Sequence, residues 1–303
     1  MAVIIPSHYP ARQALQERRV SFLSTEQALR ADIRPLRIGI INLMPQAERY
    51  EFHLLYPLGR SVIQVEPVWI RLEGHQYKSS DKEHLQRYYV SFHDAIAEQP
   101  LDGLILTGAP VEELPFEQVT YWKELTTILK FARSNIPSSL GICWGALALA
   151  KMLDIDKIIY PMKVFGVFET RNLDPSHPIT GDSDDAYYCP QSRHAGIDDT
   201  VLERAADEGK VRILGPAAHG GCVILESNDR SYLMHTGHPE YEAERIATEY
   251  WRDKERGRAD VPEPHNFDLS NPLNRWRTES LDFFGQWILY LYNYTNPSSD
   301  RRK

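Results

Sequence analysis

The residues with the clearest chemical meaning are a cysteine and two flanking glycines, in Gly141-Ile142-Cys143-Trp144-Gly145. An apolar run precedes this pattern, and small residues at helical spacing follow it. This is the sequence form of a nucleophile elbow, a sharp strand-to-helix turn with the nucleophile at the bend. Glycines suit such a turn because larger side chains would collide with neighbouring backbone or substrate, and the start of a helix favours a thiolate. The pattern predicts a nucleophilic Cys143; the alternative is a buried structural cysteine.

A histidine and a glutamate two residues apart can supply the base that such a thiol needs. His238, Pro239 and Glu240 follow a short apolar run that is typical of a strand. In an extended backbone, residues two apart project to the same side, so we expect Glu240 to bond one imidazole nitrogen of His238 and leave the other for Cys143. His235 competes for the role of base but has no carboxylate two residues beyond it. The set predicts nucleophilic catalysis with His238 as base and Glu240 as its orienting partner.

Composition and motif spacing argue against several other classes of protein. The net charge of −8 and the lack of a Lys/Arg run disfavour nucleic-acid binding. Three widely spaced cysteines match neither a disulfide framework nor a zinc pattern, and no phosphate-binding glycine pattern follows the first predicted strand. No apolar run approaches the ~20 residues needed to cross a bilayer, and the N-terminus does not resemble a signal peptide. We therefore expect a cytoplasmic protein with no metal site and no membrane or nucleic-acid partner.

Hydrophobic patterns predict the elements that must position these residues. Aliphatic runs indicate strands over 36–43 and 62–71, a third over 101–110 that runs into a Gly/Pro turn, and the strand that leads to the elbow. Further strands are indicated over 158–170, 211–214, 222–226 and 232–234. Helical spacing indicates helices beginning at 51 and over 121–134, 242–256 and 280–292, and a short helix over 25–30 in an otherwise irregular N-terminus. Strands that alternate with helices predict an α/β fold with a mostly parallel sheet and helices on both faces. Its ligand site is expected beyond the carboxyl ends of the strands, where Cys143 and Gly108 both fall.

The chain divides most simply into one domain with short flanking segments. We expect an N-terminal extension over 1–35, a single domain over 36–297 and a tail over 298–303. No repeat or low-complexity linker interrupts the domain, and its length is sufficient to bury a full core.

The elbow and the later His-Pro-Glu run resemble the class I glutamine amidotransferase-like fold, and within it the homoserine O-acyltransferase (transsuccinylase/transacetylase) family. The similarity extends from about Leu36 to Pro297 through many short matches in the same order. These are Asn42-Leu43-Met44-Pro45, Asp102-Gly103-Leu104-Ile105, Thr107-Gly108-Ala109-Pro110, Tyr121-Trp122, Ile142-Cys143-Trp144, Gly166-Val167-Phe168-Glu169, Ser192-Arg193, residues 236–241 and Glu249-Tyr250-Trp251-Arg252-Asp253. A collinear series of this kind is far more specific than any one motif.

The resemblance implies an acyl-transfer reaction in amino-acid biosynthesis, with acetyl-CoA as co-substrate and no bound cofactor. Cys143 would carry the acyl group as a thioester, and His238 with Glu240 would deprotonate the acceptor hydroxyl. The backbone at Gly108 and Trp144 would supply the oxyanion donors. Small-molecule substrates and a homodimer are expected.

Four further positions take roles from the same resemblance. Lys163, Ser192 and Arg252 match the amino-acid-binding positions of the family, and a guanidinium suits a carboxylate. Glu112 matches the position that selects the acyl donor, where glutamate accompanies acetyl-CoA and glycine leaves room for a succinyl group. A carboxylate there opposes the second carboxylate of succinate by charge and bulk.

Several alternatives stay open at this point. The family usually follows Asn-Leu-Met-Pro with two lysines and a Glu-Thr pair, where this chain has Gln46, Ala47, Arg49 and Tyr50. Serine, one methylene shorter, therefore competes with homoserine as the acceptor, and succinyl-CoA competes with acetyl-CoA as the donor. The same Cys-His-Glu set also serves glutamine amidotransferases and other cysteine hydrolases. A non-catalytic descendant of the fold is disfavoured because all three residues are present.

Overall fold

The computed structural model describes residues 2–31 and 33–296, and within these one twelve-stranded sheet runs through the molecule. Its strands are β1 (Val3–Ile4), β2 (Phe22–Leu23), β3 (Leu36–Ile41), β4 (Val65–Ile70), β5 (Tyr89–Val90), β6 (Gly103–Leu106), β7 (Ser139–Ile142), β8 (Ile158–Arg171), β9 (Ala186–Gly196), β10 (Val211–Ala217), β11 (Gly221–Ser227) and β12 (Tyr232–His235). The α-helices are α1 (Arg12–Glu17), α2 (Thr25–Ala28), α3 (Ala47–Leu58), α4 (Lys82–Tyr88), α5 (Phe92–Glu98), α6 (Trp122–Asn135), α7 (Trp144–Lys151), α8 (Asp199–Asp207), α9 (Ala243–Glu255) and α10 (Arg277–Thr295). A 3₁₀ turn covers Phe116–Gln118.

The sheet has a parallel part and an antiparallel part. The strand order is β2-β1-β4-β3-β6-β7-β12-β11-β10-β8-β9, with β5 on β4. Every pair from β2 to β12 is parallel, and every pair from β12 to β9 is antiparallel. Parallel pairing of β12 with β7 places His235 beside Ile142. The carboxyl ends of β6, β7 and β12 therefore meet at one edge, which is where ligands bind in open α/β sheets.

Alternate strand residues face two separate hydrophobic clusters. On β3, Ile38 and Ile40 belong to one cluster while Ile41 belongs to the other. The first cluster contains the apolar faces of α3, α9 and α10, and the second contains those of α6, α7 and α8. Since successive side chains of a strand point to opposite faces, the sheet is covered by helices on both sides. Among the described residues, none of the helices is long and apolar enough to cross a membrane.

The α/β prediction is confirmed, and several element predictions need correction. The N-terminal 31 residues are not irregular, because β1 and β2 pair in parallel and β1 extends the sheet beside β4. Two-residue strands are too short to show a period in the sequence. Strand β9 and helix α8 were not predicted, and α3 begins at Ala47 rather than at residue 51. The domain division stays a prediction, and its tail over 298–303 lies outside the described residues.

Candidate active site

Cys143 occupies a strained turn between β7 and α7. Its φ of 52° and ψ of −115° lie where non-glycine residues are rarely found. A Cβ on Gly141 would lie 2.6 Å from the backbone of Gly145, and a Cβ on Gly145 would lie 2.2 Å from the carbonyl oxygen of Leu106. Both glycines are therefore required by close backbone approach, as the elbow pattern predicts. The Cys143 N–H donates to the His235 carbonyl at 2.8 Å and ties the bend to β12.

The structure brings His238 and Glu240 together, although the local geometry differs from the predicted one. His238 Nδ1 lies 2.7 Å from Glu240 Oε1, and both side chains are buried. The reasoning from an extended backbone is wrong, because residues 239–240 form a turn and the Tyr241 N–H donates to the His238 carbonyl at 3.2 Å. The His238 N–H donates to the Pro190 carbonyl at 2.8 Å, so β9 anchors this turn. With Nδ1 bonded to Glu240, Nε2 is left for the side of Cys143.

The electrostatics of this group favour a buried ion pair. Burial by itself lowers the pKa of His238, but the charges of Cys143 and Glu240 and hydrogen bonds to both raise it well above its usual range. Burial by itself raises the pKa of Glu240, but the His238 charge and hydrogen bonds from His238 and Tyr50 lower it. An imidazolium beside Cys143 stabilises a thiolate, and a thiolate is the reactive form.

The competing histidine, His235, faces a different environment. Its Nε2 lies 4.0 Å from Cys189 Sγ, and its ring meets Phe283 edge-on at 5.1 Å. Burial lowers its pKa to about 4, and among the described residues its Nδ1 has no hydrogen-bond partner. His235 is therefore neutral and, among the described residues, has no bonded carboxylate.

Gly108 and Trp144, the predicted oxyanion donors, both lie next to Cys143. A Cβ on Gly108 would lie 3.4 Å from the Cys143 Cβ and 3.7 Å from His238 Cε1, so this glycine borders both side chains. Trp144 is the first residue of α7, where backbone N–H groups have no intrahelical acceptor. In the described part of the chain, no backbone or side-chain acceptor bonds the Gly108 N–H. Both backbones thus border Cys143; the oxyanion role itself stays a prediction.

The predicted amino-acid-binding residues come from three elements and meet at two carboxylates of α9. The Ser192 hydroxyl donates to Glu249, and Lys163 Nζ lies 2.7 Å from Asp253 Oδ2 and 3.9 Å from Glu249 Oε2. Arg252 lies 2.8 Å from Asp253 Oδ1 and 3.6 Å from Glu249 Oε1, with its side chain 38% exposed at the margin. Burial alone raises the pKa of Glu249, but the Lys163, Arg245 and Arg252 charges lower it to about 2.

Sequence reasoning assigned no role to Glu249 or to Tyr241, which joins it to the base. The Tyr241 ring stacks on His238 at 4.0 Å between centroids with an interplanar angle of 19°. Its hydroxyl donates to Glu249 Oε1 at 3.0 Å. The spacing of Glu249 and Asp253 puts both on one helical face, a signal that is present in the sequence but is also typical of a solvated helix.

Glu112 points towards the same site from the loop after β6. The residue is half-buried, and no described residue donates to its enclosed Oε2. Burial raises its pKa, opposed by the His194 backbone amide and by the charges of Lys163 and His238. A solvated loop carboxylate would not have these neighbours.

An ion network fixes the next residue of that loop. Arg258 bonds both carboxylate oxygens of Glu113 at 3.0 and 3.1 Å and also bonds Asp260. His194 Nδ1 lies 3.2 Å from the same guanidinium. Glu113, His194 and Asp260 place ligand-type atoms within 4.8 Å of one another, but Arg258 already supplies the cation at their centre.

Comparison with known proteins identifies the family of the chain. The homoserine O-succinyltransferase family model matches residues 2–298. Homoserine O-acetyltransferases of Geobacillus sp. (strain WCH70) and Bacillus subtilis (strain 168) are 38% and 36% identical, each over 98% of this chain and 99% of the relative. The homoserine O-acetyltransferase of Petrotoga mobilis is 38% identical over 99% of this chain and 98% of its own.

Solved structures agree on the fold. A glutamine amidotransferase from Thermotoga maritima superposes with a TM-score of 0.56 at 13% identity, covering 88% of this chain and 100% of that chain. A glutamine amidotransferase from Methylobacillus flagellatus gives a TM-score of 0.52 at 12% identity, covering 86% of this chain and 96% of that chain. With a buried Cys-His-Glu group at the edge of this fold and a family match along nearly the whole chain, the protein is an enzyme that belongs to the homoserine O-acyltransferase family.

Proposed function

We propose that this enzyme transfers the acetyl group of acetyl-CoA to the hydroxyl of L-homoserine through a thioester on Cys143. The observation that carries the proposal is the continuous contact from the nucleophile to the amino-acid site. Glu240 bonds His238, Tyr241 stacks on His238 and bonds Glu249, and Glu249 contacts Lys163, Ser192 and Arg252. An acceptor held at this carboxylate and guanidinium cluster would place its hydroxyl near the base.

The first half of the reaction loads the enzyme. The Cys143 thiolate attacks the thioester carbonyl of acetyl-CoA, and the oxyanion that forms faces the N–H groups of Gly108 and Trp144. The tetrahedral intermediate collapses with loss of the CoA thiolate, which takes the proton from the His238 imidazolium. Acetyl-Cys143 and neutral His238 remain.

The second half releases the product. His238, held by Glu240, takes the proton of the acceptor hydroxyl as the oxygen attacks acetyl-Cys143. Collapse of the second intermediate breaks the carbon–sulfur bond and regenerates the thiolate–imidazolium pair. The acceptor carboxylate suits Arg252, and its ammonium group suits Glu249.

Glu112 favours acetyl-CoA over succinyl-CoA as the acyl donor. The family model is described by succinyl transfer, while the Geobacillus and Bacillus relatives are described by acetyl transfer, so membership of the family leaves the donor undecided. Glu112 Oε2 has no bonded donor among the described residues, and the charges of Lys163 and His238 act on this carboxyl group. A second carboxylate on the donor would meet this group, whereas a methyl group would not.

The proposal includes a cytoplasmic homodimer. Acyl-CoA donors are intracellular metabolites, and the three cysteines are free and buried. Leu289 and Tyr292 are exposed one turn apart on α10, as apolar side chains at an interface are. Size-exclusion chromatography with light scattering measures the oligomeric state, and a monomer would remove the dimer from the proposal.

Intact mass and thiol release test the chemistry. Wild type mixed with acetyl-CoA alone is expected to gain one acetyl group, and Cys143→Ala is expected to gain none. CoA release is then measured with homoserine, serine and water as acceptors, and glutamine hydrolysis is measured separately. His235→Ala is expected to keep most activity. An adduct on Cys143→Ala would refute the thioester, and glutaminase activity without acetyl transfer would favour the amidotransferase alternative.

A further inference from the structure

Tyr50, on α3, reaches the catalytic carboxylate from a segment 190 residues away in the chain. Its hydroxyl donates to Glu240 Oε1 at 2.6 Å, and this is the oxygen that also lies 2.7 Å from His238 Nδ1. Tyr50 lies on the buried face of α3 with Ala47, Leu54 and Leu58, so the backbone of this helix sets its position. The contact joins α3 to the turn after β12.

The two carboxylate oxygens of Glu240 have different hydrogen-bond partners. Oε1 receives both Tyr50 and His238, while Oε2 is enclosed and receives no hydrogen bond from the described residues. A carboxylate bonded through one oxygen by one donor can rotate, and two donors on the same oxygen restrict that rotation. Burial and the Glu240 charge raise the pKa of Tyr50 well above its usual range, so its hydroxyl remains a donor near neutral pH.

We propose that Tyr50 is a positioning residue of this enzyme, whose hydroxyl holds Glu240 Oε1 against His238 Nδ1 and thereby fixes the imidazole beside Cys143. The inference rests on the proposed roles of Cys143, His238 and Glu240.

The surroundings of Glu240 leave His238 as its titrating partner. Other ionisable groups also face it or face its partners. They are Cys143 at the elbow, His53 on α3, Cys189 on β9, His235 on β12, Tyr241 in the turn, and Glu242, Arg245 and Glu249 at or on α9. Burial lowers the pKa of both His53 and His235 and raises that of Cys189 and Tyr241, which keeps all four neutral near pH ~7. Arg245 stays charged throughout.

Removal of the Tyr50 hydroxyl should change the pKa values of Glu240 and His238 in a defined direction. The Tyr50 hydrogen bond lowers the pKa of Glu240, so Tyr50→Phe is expected to raise it. The carboxylate that loses this donor is also a stronger base towards His238 and raises the pKa of the imidazolium. A higher imidazolium pKa moves the acid limb of acetyl transfer, which requires neutral His238 in the acetyl-enzyme, towards higher pH. In the free enzyme it extends the thiolate–imidazolium pair of Cys143 and His238 to higher pH.

The matched control is Tyr89→Phe. Tyr89 is also buried and also donates to a buried carboxylate, Glu51 Oε1, at 2.8 Å, but Glu51 lies outside the catalytic group. The rate of Cys143 alkylation by iodoacetamide, followed by mass spectrometry against pH, reports the thiolate without any substrate. Acetyl transfer to homoserine is measured in parallel, and the effect of Tyr50→Phe is repeated in a Glu240→Ala background.

The expected result is specific to Tyr50. Tyr50→Phe should shift to higher pH the limb of the Cys143 alkylation profile at which the His238 imidazolium loses its proton. It should also lower kcat by about tenfold, the scale of a lost hydrogen bond to a charged group. Tyr89→Phe should keep the wild-type profile, and Tyr50→Phe should add little once Glu240 is alanine. An unshifted alkylation profile, or an equal shift in Tyr89→Phe, would overturn the inference. Failure of acetyl transfer in wild type would instead refute the proposed function, because the alkylation profile decides Tyr50 independently.

Discussion

The donor preference provides a sharp test of the site through two substitutions of Glu112. Glu112→Gln removes the charge and keeps the size, while Glu112→Gly removes both. If the Glu112 carboxylate faces the acyl pocket, both variants should accept succinyl-CoA better than wild type does. Glu112→Gly should improve more, because it also makes room.

The size of the effect follows from the position of the carboxyl group. Glu112 Oε2 is enclosed and has no hydrogen-bond donor among the described residues, so no bonded donor separates this oxygen from a second carboxylate. The Lys163 and His238 charges offset part of its negative charge. At ~4–6 Å and an effective dielectric near 20, two like charges repel by roughly 3–4 kcal/mol. Salt and structural relaxation reduce this value, which leaves a discrimination of about two orders of magnitude in kcat/KM. We expect Glu112→Gln to recover most of that factor.

The repulsion also depends on pH, with a sign set by burial. Burial raises the pKa of Glu112, so the group is neutral over more of the acidic range than an exposed glutamate is. The preference for acetyl-CoA over succinyl-CoA should therefore grow as pH rises through this pKa. Glu112→Gln should show no such rise, since an amide does not titrate.

The assay compares kcat/KM for the two donors from pH ~5 to ~8. A ratio of donors cancels the titration of Cys143 and His238, which affects both reactions equally. Glu117→Gln is the control, because Glu117 is an exposed carboxylate a few residues further along. A donor ratio unchanged in both Glu112 variants would remove this residue from the acyl pocket. A wild type that already prefers succinyl-CoA would overturn the acetyl assignment.

Three further outcomes are expected. His238→Ala should nearly abolish turnover, whereas Glu240→Ala should leave measurable activity in the same CoA-release assay, because orientation contributes less than proton transfer. Gly145→Ala should lower the free energy of unfolding by about 3 kcal/mol in urea titrations, because its Cβ would lie 2.2 Å from a carbonyl oxygen of β6. Gly285→Ala, a helical glycine with nothing within 4 Å, should instead be neutral or stabilising, and a similar loss in both would refute the steric argument. Arg258→Gln should weaken the preference for acetyl-CoA over succinyl-CoA in the donor assay without abolishing turnover, because it releases the loop that carries Glu112. An unchanged ratio of kcat/KM for the two donors would show that the ion network does not hold that loop in place.

The elbow turn around Cys143 and the class of fold could be predicted from the sequence because their signals are local. The elbow needs glycines at two fixed positions around Cys143, and the clashes at Gly141 and Gly145 show why. Strand and helix periods depend on which face of each element is buried, so the α/β pattern is visible along the chain. The resemblance to the family extended the prediction to residues, such as Lys163 and Ser192, that hydrophobic periodicity does not distinguish from others.

The partnership of His238 with Glu240 was predicted correctly for the wrong geometric reason. The two residues meet across a turn, not along an extended strand. A spacing of two residues limits how far apart the side chains can be, but it does not determine the backbone between them.

The rest of the site depends on contacts between elements that are far apart in the sequence. Tyr50 meets Glu240 only because the fold brings α3 to the turn after β12, and Lys163 meets Asp253 only because it brings β8 to α9. The sequence around a tyrosine or a lysine does not indicate which residue its side chain will contact in the fold. Those contacts are decided by strand register, by the connections between strands and by helix packing. Hydrophobic burial fixes where each element lies, and each buried polar group then bonds with the group that the fold places beside it.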